Sequence, residues 1–250
     1  MTMIKPTKPL GVKAYGSIGH LPCSRIGPGD HFVHEGQQAI CTIKPRKGDL
    51  ILVSEKLDGA CMSVANIDGD LVALSRAGYA ARDALYEHLK IFDDYLRENR
   101  GMFAALLQPG ERVVGEWLAM AHGTRYDPRH LMFSPFVAFD IFRDGKRILF
   151  DEFDERCAAV ELRRAFVIHK SPWPLCVEGA LNQLDSTPAS TLDLFGFHGA
   201  CEAVEGAVWR VEREGRVDFL AKFVRHDKVD GKYLPNIGGC DPIWHWRPAA

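Results

Sequence analysis

No stretch of the 250 residues approaches eighteen uninterrupted apolar positions, so the sequence offers no candidate membrane span. The opening MTMIKPTKPLGVKAYG lacks the apolar core of a secretory signal, and a cytoplasmic protein is the expectation. CxxC spacing is missing from the seven cysteines (Cys23, Cys41, Cys61, Cys157, Cys176, Cys201, Cys240), and their number is odd. A disulfide framework or a structural zinc site is therefore excluded in favour of reduced thiols, each expected as small apolar filler. A dominant charge is lacking too. Lysine plus arginine is 31 against 33 acidic residues, a net charge of −2, where a general nucleic-acid coat protein would be far more basic. Internal repeats and low-complexity tracts are absent, and His31, His34 and His122 show no metal-diagnostic spacing.

What is present suits one globular domain over 1–250. Hydrophobic residues make up 46% and charged residues 26%, enough for a sizeable core and against wholesale disorder. Charge is unevenly spread. Residues 1–47 carry seven basic against two acidic side chains, a candidate phosphate-facing surface, whereas 151–205 carry ten acidic against four basic. The glycine- and proline-rich first forty residues read as loops and short strands. Three apolar runs, DLILVSEK, ACMSVAN and DLVALSR, are separated by LDG and NIDGD and predict an antiparallel meander. Leu85, Leu89, Phe92 and Leu96 predict a helix over 83–98. ERVVGEWLAM and PFVAFDIF read as strands, and DEFDERCAAVELRRAF and LCVEGALNQL as helices. EGAVWRVERE and GRVDFLAKFV around Glu214-Gly215 read as a hairpin. Strand clusters interrupted by helices point to an α+β fold with antiparallel sheets.

The segment Glu55-Lys56-Leu57-Asp58-Gly59 puts a lysine at the end of an apolar strand and the mouth of a turn. Five further groups follow in order: Ser75-Arg76, Gly115-Glu116-Trp117, the run 136–141 FVAFDI, Glu205-Gly206-Ala207-Val208 and Ala221-Lys222-Phe223. Singly each is nonspecific. Their set and order resemble the covalent nucleotidyltransferases, the superfamily of ATP-dependent DNA ligases, RNA ligases and capping guanylyltransferases. The ATP-dependent RNA ligases are the nearest resemblance, through EKLDG, GEW, AFDI and EGAVW.

The resemblance implies an ATP-grasp-like nucleotidyltransferase core of two antiparallel sheets with flanking helices and the nucleotide between them. It implies ATP and Mg2+ or Mn2+ as cofactors, and RNA ends or a nicked RNA duplex as the substrate in RNA repair. Lys56 is implied as the nucleophile that attacks the α-phosphate of ATP, and Lys222 as its phosphate-facing partner. Glu55 is implied as acceptor for the adenine amino group, Phe139 as the stacking ring, and Arg76 and Glu116 as contacts to ribose and phosphate. Asp58 and Gly59 belong to the motif turn, and Glu205 is the implied metal ligand. The chemistry needs a neutral amine, yet only about one lysine in 2,500 is neutral at pH 7 at an ordinary pKa near 10.4. Supplying it costs about 4.6 kcal/mol, and Lys222 and a metal ion are the cations expected to lower that cost.

The sequence departs from the family in one place. The last motif of RNA ligases has two lysines one residue apart; here Lys222 holds the second position and Leu220 the first, with Arg225 and Lys228 as the nearest substitutes. The chain ends about 28 residues after Lys222, too few for the oligonucleotide-binding barrel of DNA ligases and capping enzymes. No C-terminal barrel is therefore expected, and a partner protein that supplies nucleic-acid binding is. A minimal DNA ligase, a capping guanylyltransferase and a catalytically lapsed nucleotide- or RNA-binding module are the alternative readings. Two polar clusters carry no implied role, 122–127 HGTRYD and the loop with His20, Ser24 and Arg25; each is either a phosphate contact or a loop network.

Overall fold

The structure, a computed structural model, describes residues 8–130, 133–187 and 198–249. Its strands are β1 (Gly19–His20), β2 (Leu50–Lys56), β3 (Ala60–Ile67), β4 (Asp70–Ser75), β5 (Arg112–Trp117), β6 (Phe136–Arg143), β7 (Lys146–Arg147), β8 (Val167–Ser171), β9 (Gly206–Arg213) and β10 (Arg216–Val224). Its helices are α1 (Glu35–Thr42), α2 (Glu87–Glu98), α3 (Arg100–Leu106), α4 (Phe150–Ala159), α5 (Val177–Ser186) and the short α6 (Pro235–Gly238). Among the described residues the strands form two five-stranded sheets, β1-β10-β9-β2-β8 and β4-β3-β5-β6-β7. All pairings are antiparallel except β1 with β10. No described helix is long and apolar enough to cross a membrane.

The two-residue period of β2, β9 and β10 divides the first sheet into two faces. Ile51, Val53, Trp209, Val211, Ala221 and Phe223 point into a core closed by α1 and α5. Leu52, Ser54, Lys56, Val208, Arg210, Leu220 and Lys222 take the opposite face, which borders a cleft. A second core joins the other sheet to α2, α3 and α4 around Phe92, Phe103, Trp117, Phe136 and Phe153.

The predicted three-strand meander is corrected. β3 and β4 form a hairpin through Asp68 (φ 52°) and Gly69 (φ 97°), but β2 pairs with β8 and β9 in the other sheet. LDG is thus a crossing between sheets, not a hairpin turn. Gly59 has an ordinary φ; its use is close approach, because a Cβ there would lie 2.4 Å from the Trp117 carbonyl oxygen. The helix predicted over 83–98 begins at Glu87, and Leu85, outside it, is 84% exposed. Its buried face is Ile91, Phe92, Tyr95 and Leu96. All seven cysteines are free thiols, but only Cys41 and Cys157 are buried filler; Cys61 is half-buried and the other four are exposed.

Candidate active site

A cleft of about 470 Å³ lies between the two sheets. The structure brings every sequence-predicted site residue to its walls: Glu55, Lys56, Asp58, Arg76, Glu116, Phe139, Glu205 and Lys222. Their separation in sequence is closed by strand register. In the first sheet Lys56 lies opposite Gly206, next to Glu205, while Ser54, Val208 and Lys222 form one row. A Cβ at Gly206 would sit 1.9 Å from the Phe223 carbonyl oxygen, so only glycine allows β9 and β10 to close up here. In the second sheet Glu116 of β5 lies opposite Cys61 of β3 and Val137 of β6.

Lys56 Nζ donates to Glu205 Oε2 at 2.5 Å. Burial alone would lower its pKa, but the carboxylates of Glu205, Glu116 and Asp58 outweigh burial and raise it above the ordinary lysine value. Three nearby carboxyls outweigh the repulsion expected from the one ammonium of Lys222. That repulsion is mutual, and the pKa of Lys222 is lowered by burial and by Lys56 despite Asp30 at 3.6 Å. Burial pushes Glu116 up to about 7, with Lys56 pulling it back and Glu205 and Asp58 adding to the rise. Burial likewise raises Glu205 and Asp58. Among the described residues no three His, Cys, Asp or Glu side chains converge to hold a metal ion by themselves.

The motif turn is held from beneath. Glu116 Oε1 accepts from Gly59 N at 3.0 Å, Tyr126 Oη accepts from Asp58 N at 3.0 Å, and Thr124 Oγ1 donates to Asp58 Oδ2 at 3.0 Å. Thr124 and Tyr126 come from the HGTRYD cluster, which therefore acts as a buttress for the turn. His245 continues the support: its Nε2 accepts from Tyr126 N and its Nδ1 donates to the Leu118 carbonyl at 2.7 Å. The N-terminal polar loop is also a network. Ser24 Oγ bonds His20 Nδ1 at 2.6 Å and accepts from Val224 N at 2.9 Å, which docks β1 beside Lys222. Arg25 pairs at 2.9 Å with Asp230, which lines the cleft.

Arg76 is exposed and donates at 3.4 Å to Gly16 O and Ser17 Oγ. Phe139 packs edge-on against Tyr15 at 5.1 Å between ring centroids. Neither substitute for the missing lysine reaches the cleft: Arg225 pairs with Asp185 at 2.5 Å, and buried Lys228 donates to Thr124 at 3.3 Å. Leu220 does line the cleft, two residues from Lys222 on the same face.

Two features escaped the sequence reading. Buried Asp140 accepts from Tyr15 at 2.8 Å, Arg147 at 2.8 Å and Arg210 at 2.6 Å, and it lines the cleft with Tyr15 and Arg210. His198, fully buried, lies 2.6 Å from Glu55 Oε1, and no hydrophobic period or motif marks it. The AFDI motif could have pointed to Asp140 as a polar residue on an otherwise apolar strand.

Solved structures of similar shape include two mutant forms of an RNA ligase from Naegleria gruberi, each with ATP and Mn. Both are 16% identical, at TM-scores of 0.50 and 0.51, and cover 72% and 85% of this chain. The matches take in 51% and 60% of the Naegleria chains, so this chain spans little more than half their length. At that identity the likeness establishes the fold alone: an α+β core of two largely antiparallel sheets with flanking helices. None of the curated proteins compared with it matches this chain significantly. The family assignment comes from sequence: a family model described as RNA ligase matches residues 49–224, a span from just before β2 to the end of β10 that holds every cleft motif, and the chain belongs to the RNA ligase family.

Proposed function

We propose that this chain acts as a single nucleotidyltransferase domain, an ATP-dependent RNA ligase that joins 3′-hydroxyl and 5′-phosphate ends through a lysyl-adenylate on Lys56. The observation that carries this reading is the convergence of Lys56, Glu205, Glu116 and Lys222 in one cleft of nucleotide size, with Phe139 and Arg76 on its walls. ATP is the substrate, and Mg2+ or Mn2+ the cofactor. The donors fit such an ion: buried carboxyls crowd around one ammonium, and small hard cations take one or two carboxylates, completing their shell with phosphate and water oxygens. Glu205 would hold it. A bound divalent cation would take up the charge of Glu205 and of the phosphates, which frees Lys56 from its ion pair.

The chain's own residues supply the rest. Neutral Lys56 Nζ attacks the α-phosphorus; the N–P bond forms as the bond to the pyrophosphate oxygen breaks. Lys222, docked by β1 and facing the same side of the sheet, steadies the charge on the phosphate oxygens. The RNA 5′-phosphate then displaces Lys56 from AMP, and a 3′-hydroxyl displaces AMP to seal the strand. Repair of broken RNA in the cytoplasm is the proposed setting, with a partner protein completing the RNA-holding surface.

The test is incubation with α-labelled ATP and magnesium, followed by denaturing electrophoresis. The parent chain should carry label, and Lys56→Ala should carry none. Label on the variant would overturn the assignment, and an unlabelled parent would overturn the reading of the site.

A further inference from the structure

Glu55 is almost wholly buried at the cleft wall, and its two carboxylate oxygens are treated differently. Oε1 takes a hydrogen bond from Phe166 N at 3.0 Å and lies 2.6 Å from His198 Nδ1. The contact is a hydrogen bond to the carboxylate in the tautomer that carries its hydrogen on Nδ1. Oε2 has no donor among the described residues. The backbone of the same pair is tied as well, Glu55 N donating to the Phe166 carbonyl at 2.9 Å. Glu55 is thus clamped with one oxygen saturated and the other left to whatever enters the cleft.

The clamp is itself built. His198 precedes Gly199 (φ 76°), where a Cβ would lie 2.6 Å from the His130 side chain. The following residues run alongside the HGTRYD cluster: Gly199 O accepts from Asp127 N, Ala200 bridges Tyr126, and Cys201 N donates to Arg125 O. The segment that buttresses the Lys56 turn therefore also fixes His198. Placing a second polar group in this buried wall is costly unless it is bonded, and among the described residues the one partner His198 finds is Glu55, at Nδ1, while its Nε2 is left without one.

We propose that His198 is the residue that sets nucleobase selectivity, by orienting Glu55 so that Oε2 is the acceptor shown to the base. This inference rests on the proposed ATP-dependent reaction. A purine with an amino donor at its 6 position, adenine, satisfies Oε2; a 6-keto purine, guanine, would set two acceptors against each other. His198 acts through Glu55 and is a positioning residue. Without the clamp the carboxylate can rotate, and the loss should fall on KM and on base choice more than on kcat.

The experiment measures covalent label transfer by the full chain from ATP, GTP and purine riboside triphosphate, which lacks the 6-amino group. Two variants decide it. The Asn side chain of His198→Asn places an amide donor near the Nδ1 position, and that of His198→Gln near the Nε2 position, so the two differ mainly in whether Glu55 Oε1 keeps its donor. The expected result is that His198→Asn keeps the preference for ATP over both analogues. His198→Gln should lose about ten- to hundredfold of it through a raised KM for ATP, the size of a hydrogen bond to a charged group. Equal preference in the two variants, whether both keep it or both lose it, would overturn the inference while the labelled parent upholds the reaction. A parent that takes label from no triphosphate would overturn the reaction, and the inference with it.

Discussion

An ammonium enclosed by carboxyls is protected from its own chemistry. Lys56 holds its proton because Glu205 bonds it at 2.5 Å and Glu116 and Asp58 lie close, so the resting chain keeps the proposed nucleophile masked. Removing the first of these charges should unmask it. In Glu205→Gln the pKa of Lys56 falls, and each unit of fall raises the neutral fraction about tenfold at a fixed pH below the pKa. An amine-reactive acylating reagent at pH 8, without nucleotide, should therefore modify Lys56 at least several-fold faster in the variant than in the parent. Exposed Lys146 serves as the internal standard, and mass spectrometry reads the ratio. An unchanged ratio would mean that burial, not the ion pair, withholds Lys56. For adenylation itself the same variant should be poorer and need more metal, since the proposed ligand is lost. Lys222 carries a separate prediction. With Leu220 in place of a second lysine and Arg225 engaged by Asp185, Lys222→Ala should cut label transfer by at least about a hundredfold, the loss of an electrostatic transition-state contact. Arg225→Ala should be mild. The reverse order would move the phosphate contact further along the chain.

Strands position these side chains by close approach, and glycine sets the limit. A Cβ on Gly206 would meet backbone rather than a movable side chain, so Gly206→Ala must push β9 from β10 just where Lys56 and Lys222 share a sheet. A cost of about 2–3 kcal/mol is expected, with a lowered Tm and reduced adenylation together. Gly101→Ala in α3, where nothing lies within 4 Å, should gain about 0.5–1 kcal/mol from helix propensity instead. Turn chemistry was the most legible part of the sequence at this level. NIDGD and Glu214-Gly215 both close hairpins with successive positive φ angles, and Asp144-Gly145 does the same between β6 and β7. LDG misled because it has the same look but an ordinary φ at Gly59; whether two neighbouring strands share a sheet depends on β8 and β9, more than a hundred residues away. Leu85 misled for a similar reason, as its spacing continues a helical stripe that the chain enters only after Tyr86.

Across the molecule, the motif residues that line the cleft could be picked out because their order and spacing repeat a family pattern; their protonation could not, since it depends on which charges the fold assembles. His198 shows the limit most plainly, a single histidine whose meaning lies entirely in a contact 143 positions away. The assembled charges should appear in the stability of the whole chain. Glu116 has a folded pKa raised to about 7 from an ordinary 4.5, chiefly by burial. The folded state therefore binds more protons than the unfolded state between those values, and unfolding releases them. Below about pH 4.5 the group is neutral in both states and costs nothing. As pH rises toward 7 the unfolded carboxyl ionises freely while the folded one cannot, and stability is lost; above 7 the loss is complete. Two half-buried histidines act in the opposite sense: His88 and His122, lowered to about 4 mainly by desolvation, destabilise the fold as pH falls below the ordinary histidine value of 6.5. The parent profile thus mixes both, and the informative quantity is a difference. Glu116→Gln keeps an acceptor for Gly59 N and cannot ionise. Its stability relative to the parent should rise steadily from pH 4.5 to 7 and then level off, by at most about 3 kcal/mol. Denaturant unfolding of both chains at intervals across that range measures it. A difference that stays flat, or that falls with pH, would show that Lys56 and Gly59 already hold Glu116 as a contented carboxylate.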